Sequence, residues 1–364
     1  MAPSESPPRE LDSKHEDKIV KFVSDIRNGK IEGSNNIALT TLSLLEQIIT
    51  ECENATALEL SGVVREVGRR LCRALPQELV AANMARRVLR AIRDEHRLLC
   101  EQSGGATSGT GTGTEGSGDS LQRLVLAAHG GRRTTLGAAL PHLREPLRDH
   151  IAEVRAEIES CTASISSQAR AHVHAAELIL THGASSLTER FLKAARRHTH
   201  YRLLLGEGPR VQESHAMAAR LSAAGVPVTL INDASIAAVM SRVNKVVIGV
   251  RAVLAGGALL ARAGTHGLTI AAKHYSVPVI ALCPLYKLSP LHACDRYALS
   301  ALDCPRPSML YECGESSRVH VECPRYDVVP PDHVTLFLTN LGGSSPSYIY
   351  RLLSELYDPK DHQL

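Results

Sequence analysis

Residues 232–290 read NDASIAAVMSRVNKVVIGVRAVLAGGALLARAGTHGLTIAAKHYSVPVIALCPLYKLSP, and their pattern decides the fold. Two short apolar runs stand out, 245–249 (KVVIG) and 278–283 (PVIALC). Both are continuously apolar and rich in β-branched residues, as strands covered on both faces are. Between them come Gly256 and Gly257, the run ALLARAG, and a segment 264–275 that reads as a helix opening on small residues. Strand, Gly-rich turn, helix and strand form a βαβ crossover, which predicts a mainly parallel sheet. Sites in such sheets gather at the carboxyl ends of strands. Val250, Arg251 and Ala252, just past the first run, therefore bear most directly on chemistry.

Outward from this stretch, strand and helix patterns alternate. Residues 177–181 (ELILT), 202–205 (RLLL) and 227–231 (PVTLI) read as strands, with helices reaching Arg196 and covering 213–224. Asp233 reads as the cap of a helix over 234–242. Residues 318–323 (RVHVEC) and 334–339 (VTLFLT) read as late strands. A last helix follows Asn340-Leu341-Gly342-Gly343, with Ser344 or Ser345 as cap and Pro346 near its first position.

The N-terminal side is different. Stripes such as Ile19, Phe22, Val23, Ile26 and Leu60, Val63, Val64, Val67, Leu71 repeat with the helical period. The expected organisation is a disordered N-terminus over 1–16, a helical domain over 17–100, a flexible Gly/Ser-rich insertion over 101–120, helices joining the domains over 121–175, and a doubly wound, Rossmann-like α/β domain over 176–364. The helix over 144–173 is expected to pack across the boundary.

Composition narrows the class. In 364 residues, 44% are hydrophobic, only 3% are aromatic, and Trp is absent, so the cores are aliphatic. A formal charge of +3 gives no warrant for nucleic-acid binding, which needs a concentrated basic face. Nine scattered cysteines without a Cys-x-x-Cys read as reduced thiols. No signal-peptide pattern and no apolar stretch of membrane-spanning length occur, so a cytosolic protein is expected.

Few motifs carry chemistry. The turn 182–186 offers either a phosphate cradle on backbone N–H groups or a Ser185/Ser186 helix cap, and the cap is the better reading. Arg251 suits an anionic group or a structural ion pair, but it cannot serve as a base near neutral pH. His266 and His274 lack matching ligand spacing. Cys283, Cys294, Cys304, Cys313 and Cys323, with His292 beside them, are too evenly spread for a zinc knuckle. The Gly-x-Gly-x-x-Gly at Gly111, Gly113 and Gly116 lies inside the Gly/Ser run and reads as composition. Arg86, Arg87, Arg90 and Arg93 read as a solvated polar face or as a contact surface for an acidic partner. Neither a metal nor a cofactor is expected.

Four long segments carry a resemblance: 232–249, 264–281, 284–290 (PLYKLSP) and 340–359 (NLGGSSPSYIYRLLSELYDP). Residues 326–331 (YDVVPP) and 86–92 (RRVLRAI) fit as well. The chain resembles the regulatory alpha/beta/delta subunit family of the guanine-nucleotide exchange factor for eukaryotic translation initiation factor two, beta-type most closely. That family is related to methylthioribose-1-phosphate isomerases. Those enzymes use a Cys after an early strand, an Asp in a Gly-Ala-Asp-Arg segment, and Asn-Gly-Asp and Asn-Lys pairs in the next turn and helix. Here Gly183 stands at the thiol's place and Arg251 at the acid's, the turn reads Gly256-Gly257-Ala258, and Ala261-Arg262 replaces the Asn-Lys pair.

The resemblance implies an emptied pocket of Gly183, Arg251, Gly256, Gly257, Arg262, Gly264 and Thr265, with no catalytic residue. A residual phosphate site on the backbone of Gly264 and Thr265 is one expectation. The implied role is assembly of the exchange-factor core and sensing of the phosphorylated alpha subunit of the translation-initiation GTPase. Implied partners are the delta-type subunit first, then the gamma, epsilon and alpha types, with no direct nucleic acid and no membrane. Arg86, Arg87 and Arg90 on an exposed helical face, and Asn340, Gly342, Gly343, Tyr348 and Tyr350 near the C-terminus, are the expected contact residues. The alternatives are a sugar-phosphate isomerase, or a sugar-phosphate or nucleotide-binding protein on the same scaffold.

Overall fold

The computed structural model describes residues 13–52, 56–104, 143–292, 299, 302 and 320–364. Four helices open the chain, α1 (Ser13–Arg27), α2 (Ser34–Glu51), α3 (Ala57–Ala74) and α4 (Leu79–Gly104). Their apolar stripes meet in one aliphatic core that includes Leu42, Leu45, Ile48, Leu60, Val64, Val67, Met84 and Ile92. The start of α3 is fixed locally. Thr56 accepts from the Glu59 N–H, while the Glu59 carboxylate accepts from the Thr56 N–H, so each residue satisfies an orphan donor of the other.

The long helix α5 (Arg144–Ser167) does span two cores. Leu147, Ile151, Val154 and Ile158 pack into the helical core, while Ile165 packs with the short helix α6 (Ala169–His172) against the sheet.

The sheet has seven strands: β1 (Leu178–His182), β2 (Arg202–Gly206), β3 (Val228–Ile231), β4 (Lys245–Gly249), β7 (Val279–Leu282), β9 (Leu336–Thr339) and β10 (Gly342–Ser344). Their spatial order is β10-β9-β7-β4-β1-β2-β3. All pairs are parallel except β10 with β9. The inner strands are buried along nearly their whole length, as continuous apolar runs require, and the edge strand β3 is not.

Helices cover both faces. α5, α6, α7 (Ser186–Arg196) and α8 (Val211–Ala223) cover one, and α9 (Ile236–Met240), α10 (Thr265–His274) and α11 (Ile349–Leu356) cover the other. The chain builds outward from β1 to β3, then returns to the far side of β1 with β4. The strand order therefore reverses between β1 and β4, and a crevice opens there at the carboxyl ends.

Three short strands lie outside those expected. β5 (Ala252–Val253), β6 (Leu259–Arg262) and β8 (Tyr326–Val329) form a separate antiparallel sheet. The partners β6 and β8 are more than sixty residues apart in sequence, so no local pattern announces the pairing. In turn, residues 320–323 are not a strand; 318 and 319 lie outside the described residues, as do 1–12 and most of the 101–120 run.

Asp233 is not a helix cap. Asn232 caps the turn instead, its Oδ1 accepting from the Ala234 N–H at 3.1 Å. Ser185 does cap α7, accepting from the Thr188 N–H. Ser345 stands at the cap position of the C-terminal turn with Pro346 following, but its side chain makes no capping bond.

One glycine governs how α7 seats on the sheet. A Cβ added at Gly249 would lie 2.4 Å from Ser185 Oγ and 2.9 Å from Thr188 Oγ1. Gly249→Ala must push the first turn of α7 off the strand. A loss of about 1–3 kcal/mol in urea unfolding is expected, and an unchanged midpoint would show that the turn yields freely.

Candidate functional site

The crevice at the β1/β4 reversal continues into a cleft of about 740 Å³ between the helices and the sheet. Its lining includes Gly249, Val250, Arg251 and Arg262 from the strand ends, Ser185 and Arg190 from α7, and Gly33, Ser34 and Glu78 from the helical region. Arg27, Arg210, Arg325 and Lys287 also face it, so cations outnumber the acids Glu32, Glu78 and Glu213.

Cations in excess would favour an anion, but Arg251 and Arg262 are already matched. Arg251 forms an ion pair with Glu78 and donates to Ser34 Oγ at 3.2 Å, joining the end of β4 to the helical region. Its guanidinium also lies 5.9 Å from the Tyr326 ring. Burial lowers its proton affinity, as it must for a cation out of water, yet an arginine stays charged in any protein environment.

Arg262 donates to Glu213 at 2.8 Å, and Arg210 donates to the same carboxylate at 2.7 Å. Burial pushes the Glu213 carboxyl up, but Arg210 and Arg262 outweigh it and hold the group below the usual carboxylate range. A carboxylate so stabilised is a poor proton acceptor near pH 7. The stem of Arg262 also lies against Gly183. Gly183 has φ +64°, and a Cβ there would meet Arg262 Cδ at 2.9 Å. Gly183 is thus required twice, by its left-handed backbone and by the arginine above it.

The expected phosphate seat on Gly264 and Thr265 is taken by the chain itself. Asp327, on β8, accepts from the Gly264 N–H at 2.6 Å and from the His266 N–H at 3.2 Å. A carboxylate thus sits at the N-terminus of α10, where the helix dipole favours an anion. Gly256 and Gly257 are not brought to the cleft. They form the turn between β5 and β6, with Gly257 at φ +77° and packed near Pro331 and Pro346.

A second group of polar side chains lies beside the crevice. His182 Nδ1 is 3.2 Å from Thr265 Oγ1, and Nε2 is 3.3 Å from Asp233 Oδ1, outside hydrogen-bonding geometry. Asp233 Oδ1 accepts from the Gly208 N–H at 3.0 Å. The row has the layout of an acid–base–hydroxyl triad. However, His182 and Thr265 are buried, and the hydroxyl faces the imidazole inside the fold. The row braces the ends of β1 and β3 against α10 and presents no nucleophile to a substrate.

Sequence reasoning passed over Lys287. It is buried at the floor of the cleft and donates to the Val250 carbonyl at 2.7 Å. Burial pulls its pKa down to about 8. Its neighbour Cys283, at the end of β7, is fully buried, and burial pushes its thiol up to about 12. That thiol is protonated at neutral pH and does not line the cleft, so Cys283 offers it no thiolate. Cys294, Cys304 and Cys313 lie outside the described residues, and no cluster of three or more possible metal ligands occurs among the described ones.

The basic face read on α4 points inward. Arg86 is 1% exposed, and it donates to the carbonyls of Asp361 and His362 at 3.1 and 3.2 Å. Arg87 pairs with Glu157 at 2.7 Å. Arg90 keeps a third of its side chain in solvent but bonds Asp94 and the Ser354 carbonyl. These arginines hold the molecule together, because a long side chain on a helix can reach across an interface that its position on the helical wheel does not reveal.

Near the C-terminus, Asn340 turns inward, accepting from the Leu285 N–H at 3.1 Å and reaching Glu157. Gly342 and Gly343 form the edge strand β10. Leu341, Tyr348 and Tyr350 are exposed.

The Lys287 reading carries a sign. Its proton affinity is depressed in the fold, so the folded state carries the cost of a buried charge below about pH 8. That cost falls as pH rises from 8 towards the free amine's ~10.4. Relative to Lys287→Met, the wild-type chain should gain melting temperature between pH 8 and 10. Parallel pH profiles for the two proteins would refute the assignment.

Residues 30–346 match the initiation factor 2 subunit family. The chain is 32% identical to translation initiation factor eIF2B subunit beta of Schizosaccharomyces pombe, over 94% of this chain and 96% of that protein. The crystal structure of eIF2B beta from Chaetomium thermophilum superposes with a TM-score of 0.69 at 26% identity, covering 96% of this chain and 94% of its own. A chain of the tetrameric eIF2B-beta2-delta2 complex from C. thermophilum superposes with a TM-score of 0.68 at 28% identity, covering 95% of this chain and 96% of its own. With most of its length inside the match and its fold shared, this chain belongs to the initiation factor 2 subunit family.

Proposed function

We propose that the chain is a non-catalytic regulatory subunit of the translation-initiation guanine-nucleotide exchange factor, acting in the cytosol. The observation that carries this reading is the cleft. The place of an isomerase's acid holds Arg251 paired with Glu78, and the place of its thiol is Gly183 under Arg262. Sugar-phosphate ring opening needs a group that gives or takes a proton, and an ion-paired guanidinium is not one. Of the other carboxylates lining the cleft, Glu213 is held ionised between two arginines. The near-full-length likeness to beta subunits supports the same conclusion.

The partners that follow are the other subunits of the exchange factor, the delta type first and then the alpha, gamma and epsilon types, with the GTPase and its phosphorylated alpha subunit as the regulated client. The surface for the delta-type relative is the C-terminal edge. β10 ends the sheet there, with Gly342 and Gly343 in it, and Leu341 and Tyr350 stand 71% and 76% exposed. An exposed strand edge beside apolar side chains is a ready template for pairing with another chain.

Two measurements test this. Purified alone, the chain should give no product from methylthioribose-1-phosphate, and turnover would overturn the non-catalytic reading. Co-expressed with the delta-type subunit, the wild-type chain should co-purify with it, while Leu341→Asp combined with Tyr350→Asp should reduce recovery at least tenfold. Undiminished recovery would move the interface elsewhere.

A further inference from the structure

The last seven residues cross from the α/β region to the helical region. After α11, Tyr357 is buried in the α/β core, and its hydroxyl donates to the Leu288 carbonyl at 2.8 Å. The chain then makes a short turn, Pro359–Asp361, in which the Asp358 side chain accepts from the Lys360 N–H at 2.9 Å. Asp361 ends wholly buried among arginines of two helices. Arg65 of α3 donates to its Oδ1 at 3.1 Å, and Arg93 of α4 binds both carboxylate oxygens, one at 2.7 Å. Arg93 also reaches Asp358 at 3.1 Å, while Arg86 takes the carbonyls of Asp361 and His362.

Leu364 seats on bare backbone. A Cβ at Gly68 of α3 would lie 3.0 Å from a Leu364 methyl carbon, and the leucine packs against the helical core. A carboxylate, two carbonyls and one apolar anchor thus meet a socket built from α3 and α4. No catalytic or partner-binding role assigned above uses this segment.

We propose that residues 358–364 are a strap that clamps the helical region onto the α/β region, and that proton uptake by His362 releases it. The Nε2 of His362 is buried without a hydrogen-bond partner. The charged and titratable groups around it are Arg86 from α4, Asp358 and Asp361 from the strap itself, and His292 from the segment beyond β7. Arg65 and Arg93 already supply two further cations to the same socket. An imidazolium here adds positive charge beside Arg86 with no acceptor for its second N–H.

Burial first, and Arg86 next, hold the imidazole below the usual histidine range, while Asp358 and Asp361 pull the other way. The linkage sign follows. A proton binds the released strap more readily than the seated one. The strap is therefore fully effective above the free imidazole value of ~6.5 and weakens as pH falls below it.

The test is hydrogen exchange on the full-length chain at pH 7.5 and 5.5, corrected for intrinsic rates. Amides of α3 and α4 facing the socket should lose about tenfold in protection at pH 5.5, while β4 and β7 keep theirs. His362→Gln should abolish that loss, since glutamine takes up no proton. Asp361→Asn should show the low protection at both pH values. Equal wild-type protection at both pH values, or the same acid loss in His362→Gln, overturns the release. Full protection of α3 and α4 in Asp361→Asn overturns the strap. If Asp361→Asn also loses β4 and β7, it has unfolded, and Arg65→Gln, which removes one donor, replaces it under the same criterion.

Discussion

Arg251 lies at the point where the strand order reverses, and its guanidinium is spent on Glu78 and Ser34 across the cleft. In an open α/β sheet this is the position where ligands gather, because the strand ends diverge and leave a crevice. Here an internal ion pair bridges the crevice. One contact therefore ties the helical region to the sheet. A buried pair adds little net stability over an apolar replacement, but a lone buried charge costs several kcal/mol, so the two partners stand or fall together.

The same substitution of internal groups for ligand recurs around the cleft. Asp327 occupies the N-terminus of α10, where an anion would otherwise sit, and Glu213 pairs with both Arg210 and Arg262. Seen together, the carboxylates of Glu78, Glu213 and Asp327 do for this chain what a bound anion does for a ligand-binding relative of the fold. They come from the α3–α4 turn, α8 and β8, so the arrangement depends on the docking of three separate parts of the chain. A rigid block of this kind suits a subunit whose task is to present surfaces at fixed geometry.

Much of this was legible in the residues. Apolar runs such as KVVIG and PVIALC gave β4 and β7 to within a residue, because strands buried on both faces leave a continuous signal. That Arg251 follows β4 at the mouth of the crevice was legible too. What it pairs with was not. Glu78 is 173 positions from Arg251, and Asp327 is 63 from Gly264, so neither pairing has a local signature. For the same reason the antiparallel sheet of β5, β6 and β8 went unread. The arginines of α4 misled most. Their spacing fits a solvated face, but Arg86 and Arg93 meet the C-terminal turn, which returns from more than 260 residues away.

The account turns on whether Arg251 and Glu78 act as one unit. A double-mutant cycle with Arg251→Met and Glu78→Met, read as the free energy of urea unfolding, measures their coupling directly. We expect each single change to cost about 3 kcal/mol or more, and the double change to cost less than the sum by about 2 kcal/mol. Additive losses would mean that the pair is incidental, and that the helical region is held to the sheet by something else.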